Sequence, residues 1–195
     1  MSSRRGMSIT HAALRVCATL ALLAPIAACA PRIEAAPSTQ ARAATPELPP
    51  SPELPPSLAT LRVLDLVNDA RAHARRCGDA AFAPAPPLSW SEALALAAEG
   101  HARSMASEGF LDHVSPSGGT VGERIAATGY VARSWGETIA GGYVDPAETV
   151  AGFLASPPHC AVLMAADFSA LGAALVEDDA SAYLSYWTLV LAAPR

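Results

Sequence analysis

Two histidines and a glutamate stand out as side chains that could carry chemistry. His113 lies in the segment Asp-His-Val-Ser-Pro, His159 lies in Ser-Pro-Pro-His-Cys, and Glu137 lies between them in a glycine-flanked segment. Serine and proline neighbours predict that both histidines lie in loops, where functional side chains are common. Two imidazoles and a carboxylate suffice for a divalent metal site or for acid–base chemistry. The wide separations match no local metal motif, so spacing alone does not choose between these roles.

The other candidate groups have simpler explanations. His101 falls on the inner stripe of a predicted helix, where a hydrogen-bonded core histidine is expected. His73 lies in a polar, Arg-rich helix end and is expected to be solvated. Ser115 and Ser156 adjoin the loop histidines, but no serine or cysteine has the paired base that marks an activated nucleophile.

Capping signals place helices around these residues. Apolar residues at helical spacing predict a first helix from Leu58 to about Arg76. Ser89 and Glu92 form a capping box for a second helix, which should end at Gly109. A shorter helix, opened by a capping box between Thr120 and Glu123, should follow.

The second half of the domain combines one more helix with strands. Asp145, followed by proline at the first helical position, predicts a helix that ends before Pro157. Residues 170–176 and 182–192 are rich in branched and aromatic side chains and predict an antiparallel hairpin, with residues 130–135 as a third strand. The order of elements indicates an α+β fold, in which helices cover a small antiparallel sheet.

Charge excludes one class of partner. The chain has 195 residues and a net charge of −5, and all its basic residues except histidine are arginine. From Leu58 onward there are 15 acidic residues and 8 arginines, a net charge of −7. A nucleic-acid-binding protein needs a basic face, so no nucleic-acid partner is expected. Anionic membrane surfaces are equally poor partners.

The first 28 residues are typical of an export signal. Three arginines and no acid precede an apolar run that is too short for a membrane span. The run ends in Ile-Ala-Ala before Cys29, which resembles a bacterial lipobox whose cysteine is acylated. Residues 29–57 are then expected to form a lipidated, proline-rich tether, and residues 58–195 to form the folded domain. An ordinary signal peptide that is cleaved nearby is the alternative.

A disulfide between Cys77 and Cys160 is expected in the folded domain. They are the only cysteines after Cys29, and an exported protein meets an oxidising compartment. Two buried free thiols are the alternative.

The whole pattern resembles the CAP superfamily (cysteine-rich secretory, antigen 5, pathogenesis-related 1), in its bacterial SCP-like branch. The resemblance runs in order and at family spacing from Leu58 to Ala192. Each segment is weak alone, but together they are specific. The matching segments are Leu66–Arg71, Pro87–Trp90, Ala97–Met105, Asp112–Gly118, Glu123–Ile125, Gly129–Tyr130, Gly136–Ala140, Phe153–Met164, Leu171–Gly172 and Tyr186–Trp187.

The resemblance implies an α–β–α sandwich with a groove lined by two histidines and two glutamates. By position, His113, Glu137 and His159 match three of these four residues. The usual second glutamate is replaced by Ser156, the preceding tryptophan by Phe153, and the asparagine after the first glutamate by Thr138. Glu123 is a candidate for the missing carboxylate, although its capping role explains it as well.

Three functions remain open for such a groove. The first is a monomeric, membrane-anchored domain of the bacterial envelope, on its periplasmic or surface side, that binds a lipid, glycan or peptide. The second is a zinc-dependent hydrolase acting on peptide or cell-wall material, in which His113 and His159 hold the metal and Glu137 is the third ligand or the general base. The third is a structural or interaction module. We expect the first, with weak zinc binding by the two histidines.

Overall fold

A computed structural model describes residues 56–195. The export signal, the acylated Cys29 and nearly all of the proline-rich tether lie outside these residues and stay predictions. These described residues all belong to one compact unit. Within the described residues, no helix has both the length and the apolar character that crossing a membrane requires.

The domain contains five helices and six strands within its described residues. In chain order the elements are α1 (Leu58–Arg71), β1 (Arg75–Cys77), β2 (Ala80–Phe82), β3 (Ser89–Trp90), α2 (Glu92–Glu108), α3 (Val121–Ala127), β4 (Ala132–Gly141), α4 (Pro146–Ala155), α5 (Pro157–Met164), β5 (Ala170–Glu177) and β6 (Ser185–Pro194). The expected α+β class is therefore confirmed.

A four-stranded sheet forms the centre of the domain, in the order β3-β5-β6-β4. Strand β6 runs antiparallel to both β5 and β4, and the short β3 is parallel to β5. The predicted hairpin is confirmed as β5 and β6. The predicted third strand covers only the start of β4, which continues through the glycine-flanked segment to Gly141. Glu137 therefore lies on a strand.

Alternating side chains of β6 build a core on each face of the sheet. Tyr186 and Val190 belong to the cluster that includes residues of α2 and α3. Trp187 and Leu189 belong to the cluster that includes residues of α1, α4 and α5. Because successive residues of a strand point to opposite faces, β6 is buried on both sides. The α–β–α sandwich is confirmed.

Helix α2 lies directly against the sheet because Gly172 has no side chain. A Cβ atom at Gly172 would overlap the backbone of Leu94 and Ala95. Close packing at this crossing brings the inner face of α2, including His101, over the sheet.

Three capping predictions are confirmed. Thr120 and Glu123 form a reciprocal capping box at the start of α3. Asp145 caps α4 by accepting hydrogen bonds from the backbone N–H groups of Ala147 and Glu148. Helix α2 ends at Gly109, whose φ of 71° is the left-handed conformation that glycine adopts without a steric penalty.

Two boundary predictions were wrong. Helix α1 ends at Arg71 rather than near Arg76, because residues 75–82 pair with each other as the β1–β2 hairpin. Ser89 does not cap α2, because it lies on β3 and its N–H donates to the carbonyl of Ser169. Ser91 is the cap instead. Local propensity favoured helix in the first case and a capping box in the second, but strand pairing decided both.

Arg71 is a fully buried cation at the end of α1. Its guanidinium donates to the carbonyl oxygens of Pro86, Leu163, Ala165 and Phe168. Burial lowers its pKa. The fork of donors ties α1 to the C-terminal end of α5, where carbonyl dipoles favour a cation.

The predicted disulfide between Cys77 and Cys160 is confirmed, with the two Cα atoms 5.5 Å apart. It joins β1 to α5. Both cysteines are buried beside Met164. The bridge therefore anchors the helix that carries His159.

Candidate functional site

Glu137 is the centre of a buried hydrogen-bonded array. Its side chain is only 2% exposed. Oε1 accepts a hydrogen bond from Nδ1 of His113 at 2.8 Å, and Oε2 accepts one from Nη2 of Arg124 at 2.7 Å. A buried carboxylate must be paired in this way, and here each oxygen has a charged or chargeable partner.

Arg124 holds the His113 loop as well as the carboxylate. Its Nη2 also donates to the carbonyl of His113 at 3.1 Å, and its Nη1 donates to the carbonyl of Gly119 at 3.1 Å. The arginine lies on α3, directly after Glu123 of the capping box. The cap therefore fixes the start of the helix that delivers the guanidinium.

His101 supports the array from α2. The ring is fully buried, with Nε2 2.8 Å from the carbonyl of Asp112 and 3.9 Å from Oε1 of Glu137. The prediction of a hydrogen-bonded core histidine is confirmed. Burial is the main cause that lowers the pKa of His101, and the Glu137 charge opposes it. The neutral ring bonded to the Asp112 carbonyl fixes the loop that precedes His113.

His113 lies in the predicted loop and has a fixed ring orientation. Its hydrogen bond to Glu137 is the main cause that raises the pKa of His113. The side chain is 49% exposed. Among the described residues, none forms a hydrogen bond with Nε2, so this nitrogen is available to a ligand. The array thus presents Nε2 of His113 to the solvent in a fixed direction, as a hydrogen-bond donor or acceptor.

His159 lies in the first turn of α5, so the loop predicted there was wrong. Proline is favoured at the first positions of a helix, and Pro157 and Pro158 occupy them. The ring packs edge-to-face against Phe153 with the centroids 5.3 Å apart. Burial, and secondarily the charge of His113, lower the pKa of His159. This histidine favours its neutral form.

A cavity of about 210 Å³ lies beside His159. Phe153 and Ser156, the residues that replace the usual tryptophan and glutamate, both line it. The space is smaller than a typical drug-sized site and suits part of a ligand. The lining residues are Ile139, Ala140, Tyr143, Thr149, Gly152, Phe153, Ser156 and His159.

The carboxylate of Glu123 is engaged in the α3 cap. Oε2 accepts hydrogen bonds from both N and Oγ1 of Thr120 at 2.8 Å. These hydrogen bonds, chiefly the backbone one, lower the pKa of Glu123.

Thr138 is fully buried next to Glu137, and its hydroxyl has no partner among the described residues.

Sequence reasoning missed Arg124 as a partner of Glu137. Arg124 lies 13 residues from Glu137, and nothing local to either residue indicates the pair. One signal was available: an arginine directly follows the capping box in the Glu-Arg-Ile segment. A buried carboxylate needs a cationic partner, and the domain from Leu58 onward offers only 8 arginines and no lysine for that role.

The donor set does not complete a zinc site. No group of three or more His, Cys, Asp or Glu residues within residues 56–195 is arranged to hold a metal ion. Glu137 is bonded to Arg124 and to Nδ1 of His113, and Ser156 offers only a hydroxyl. Structural zinc sites use four ligands and catalytic ones three. Zinc binding by His113 and His159 stays a prediction, and no reaction step is derived through a metal.

Solved structures of other proteins share this fold. An extracellular protein of Bacillus anthracis that contains an SCP domain is 26% identical, with a TM-score of 0.57. The match covers 69% of this chain and 40% of that protein. Venom allergen-like protein 4 of Schistosoma mansoni is 12% identical over 72% of this chain and 91% of its own, with a TM-score of 0.51, which shows the fold alone.

Comparison of sequences identifies the family of this chain. The uncharacterized membrane protein YlbC of Bacillus subtilis is 33% identical over 85 residues, which are 44% of this chain and 25% of YlbC. The chain thus spans a quarter of that relative. The family model described as the cysteine-rich secretory protein family matches residues 64–191. With the sandwich fold and the disulfide in place, the chain belongs to this CAP family.

Proposed function

We propose that this protein is a tethered binding domain of the bacterial cell envelope, which holds a small lipid, glycan or peptide ligand beside His113 and His159. Several similar proteins support the location. They are described as an extracellular protein, a membrane protein and, in Borrelia burgdorferi, an outer surface protein. The last is 18% identical over 57% of this chain and 80% of its own, with a TM-score of 0.52. Acylation at Cys29 would supply the tether, and several acyl chains anchor durably.

The Arg124–Glu137–His113 array is the observation that carries the binding proposal. Glu137 is saturated by Arg124 and His113 and is nearly unexposed. A general base or a third metal ligand needs a carboxylate oxygen free to reach a water molecule or a metal, whereas both oxygens here are engaged. The array instead fixes one imidazole edge toward solvent. Preorganised polar groups of this kind orient a ligand.

The cavity beside His159 supplies the apolar part of the proposed site. Phe153, Ile139 and Ala140 line it together with the neutral-favouring ring of His159. An acyl segment or an apolar side chain of a ligand suits this space. A polar headgroup of the same ligand would meet the free edge of His113.

Copurification tests the proposal. The protein is purified under native conditions from a bacterial host and extracted with organic solvent, and the extract is analysed by mass spectrometry. Gly152→Leu places a side chain in the cavity, where an added Cβ atom would lie 3.3 Å from the Tyr143 hydroxyl. Gly100→Leu is the matched control, because Gly100 is also helical but faces open space.

One result supports binding and two contradict it. A stoichiometric small molecule in the wild type and in Gly100→Leu, but lost in Gly152→Leu, supports the site. Equal recovery from all three proteins would place the ligand elsewhere. Recovery from none, together with no change in melting temperature on adding envelope lipids or muropeptides, would leave the structural-module alternative.

A hydrolase is the second candidate, and one observation favours it. A carboxylate bonded to Nδ1 of a histidine whose Nε2 is free is the arrangement that orients metal-ligating histidines. The incomplete donor set described above argues against it. Hydrolysis of a casein or muropeptide substrate that is stopped by a chelator and by His113→Ala would establish this function.

A further inference from the structure

Two neighbouring loops expose four large apolar side chains. The loop after β4 exposes Tyr143 (38%) and Val144 (57%). The loop before β6 exposes Tyr183 (42%) and Leu184 (57%). These four residues, named here the loop surface, lie at the opposite end of β4 from the loop that leads into this strand. None of them belongs to the His113–Glu137 array, although Tyr143 also lines the cavity beside His159.

Hydrogen bonds hold the two loops side by side. The carbonyl of Tyr143 accepts from Oγ of Ser185 at 2.7 Å and from Nε1 of the buried Trp187 at 3.0 Å. The N–H of Gly142 donates to the carbonyl of Ser185 at 3.0 Å. The Tyr183 ring covers Gly141, where even a Cβ atom would lie 2.7 Å from it. The loop surface is therefore built by the fold before any partner arrives.

Leu184 has a strained backbone conformation that glycine would adopt without strain. Its φ is 63°, and it is the one residue other than glycine with positive φ among the described residues. Glycine adopts this conformation without a steric penalty, whereas a branched side chain does not. Because the side chain is also more than half exposed, packing does not explain a leucine here. Strain of this kind is commonly kept for function.

Within the two loops and the residues next to them in sequence, all the charges are negative. Residues 141–148 and 177–184 contain no arginine, lysine or histidine. Arg103 lines a cleft with Glu177 and Asp178, but it is paired with Glu99. An acidic rim repels an anionic membrane and attracts cations. The carboxylates in these two segments are Asp145, Glu148, Glu177, Asp178 and Asp179.

We infer that the loop surface docks a basic, amphipathic segment of another protein. Apolar residues of that segment pack on Tyr143, Val144, Tyr183 and Leu184, while its arginines or lysines face the acidic rim. The central aromatic and aliphatic contacts supply affinity, and the rim supplies orientation and association rate. The chain's own tether does not fit, because residues 30–57 contain two arginines and three glutamates.

Fluorescence anisotropy with synthetic peptides tests this inference on the full chain. The probe is a labelled eight-residue peptide of alternating Lys and Leu, compared with alternating Lys and Ser and with alternating Glu and Leu. The Lys-Leu peptide should bind at least tenfold more tightly than either of the others. Leu184→Gly should weaken it at least fivefold without lowering the melting temperature, because glycine relieves the strain.

A matched control distinguishes the loop surface from general stickiness. Val131 is 64% exposed and precedes β4, about 30 Å from Gly141 at ~3.3 Å per residue. Val131→Ser should leave peptide binding unchanged. Equal weakening by Val131→Ser and Leu184→Gly would overturn the inference, as would equal affinity for the Lys-Ser peptide.

Membrane docking is the competing explanation, and vesicles test it. Cosedimentation with phosphatidylglycerol vesicles should be absent in the full chain produced with Cys29→Ser, which removes the predicted acylation site. Leu184-dependent sedimentation would assign the surface to lipid and overturn the inference. Retention of the copurified ligand in Leu184→Gly, whose side chain does not line the cavity, separates this surface from the proposed ligand cavity, so the two proposals can fail independently.

Discussion

The two histidines that the sequence presents as a pair lie in opposite environments. His113 is held by a buried carboxylate, faces solvent on one edge and has a raised pKa. His159 is packed against Phe153 on a helix anchored by a disulfide, and its pKa is lowered. One side is organised by ion pairing and the other by apolar packing. These two environments fit the proposed ligand site, with one polar and one apolar half, better than they fit a symmetric metal-binding pair.

Removing the disulfide should be the most damaging change, and it acts on the His159 side. The bridge spans 83 residues in sequence, so the double change Cys77→Ser and Cys160→Ser should cost about 4 kcal/mol of the free energy of unfolding. Urea denaturation measures this loss. In the NMR spectrum the His159 ring signals should move while those of His113 stay. A loss below about 1 kcal/mol would show that apolar packing alone holds α5.

Breaking the ion pair should come next, and it acts on the His113 side. Glu137→Gln leaves the largely buried guanidinium of Arg124 without its counter-charge, which should cost about 3 kcal/mol. Glu99→Gln is the matched control, because the Glu99–Arg103 pair is exposed and should be worth less than about 0.5 kcal/mol. Similar losses for both variants in urea denaturation would contradict the view that Glu137 organises the array.

The pH dependence of stability should have opposite signs for the two rings. The free energy of unfolding that His113 contributes is fully present below about pH 6.5. It is lost as pH rises through the raised pKa of His113, because the folded state binds the extra proton. The lowered pKa of His159 favours the neutral ring, so the free energy of unfolding decreases on its account as pH falls below about 6.5.

Two variants isolate these contributions. His113→Ala should lower the melting temperature more at pH 5.5 than at pH 8.5, whereas His159→Phe should raise it at pH 5.5 relative to the wild type. Each effect should be below about 1 kcal/mol, since both rings are partly exposed. Shifts of the same sign would remove the distinction between the two environments.

Zinc binding should be the weakest effect of all. Calorimetry should show affinity at pH 8 that is lost as pH falls, beginning above pH 6.5 because Glu137 favours the protonated form of His113. His113→Ala combined with His159→Ala should abolish it. Zinc affinity that survives this double change would place the metal elsewhere in the chain.

Local signals in the sequence predicted three of the helix ends correctly. Thr120 with Glu123, Asp145 and Gly109 act through neighbours within a few residues, so their roles can be inferred from a short window. The prolines before His159 show the limit of that inference. Proline ends one helix and equally begins the next, and only the packing of α5 on the disulfide side decided between them.

The site itself could be predicted only in part. Family spacing indicated His113, Glu137 and His159, but not that Arg124 would take one carboxylate oxygen. That contact depends on how α3 packs beside β4, which no periodicity reports. The predicted third strand stopped at residue 135, short of Glu137, for a related reason: pairing with β6 extends β4 across two glycines that strand propensity disfavours.

The buried Arg71 has a consequence for the order in which the domain can assemble. Its partners Leu163, Ala165 and Phe168 come 92 to 97 residues later in the chain. When the N-terminal part of the domain is present before the C-terminal part, the guanidinium at the end of α1 lacks these three carbonyl acceptors. The first helix can therefore reach its final packing only after nearly the whole domain has been delivered. Because these contacts are so far apart in sequence, we expect the domain to fold slowly. We also expect it to fold late and cooperatively, so that an incomplete chain stays unfolded.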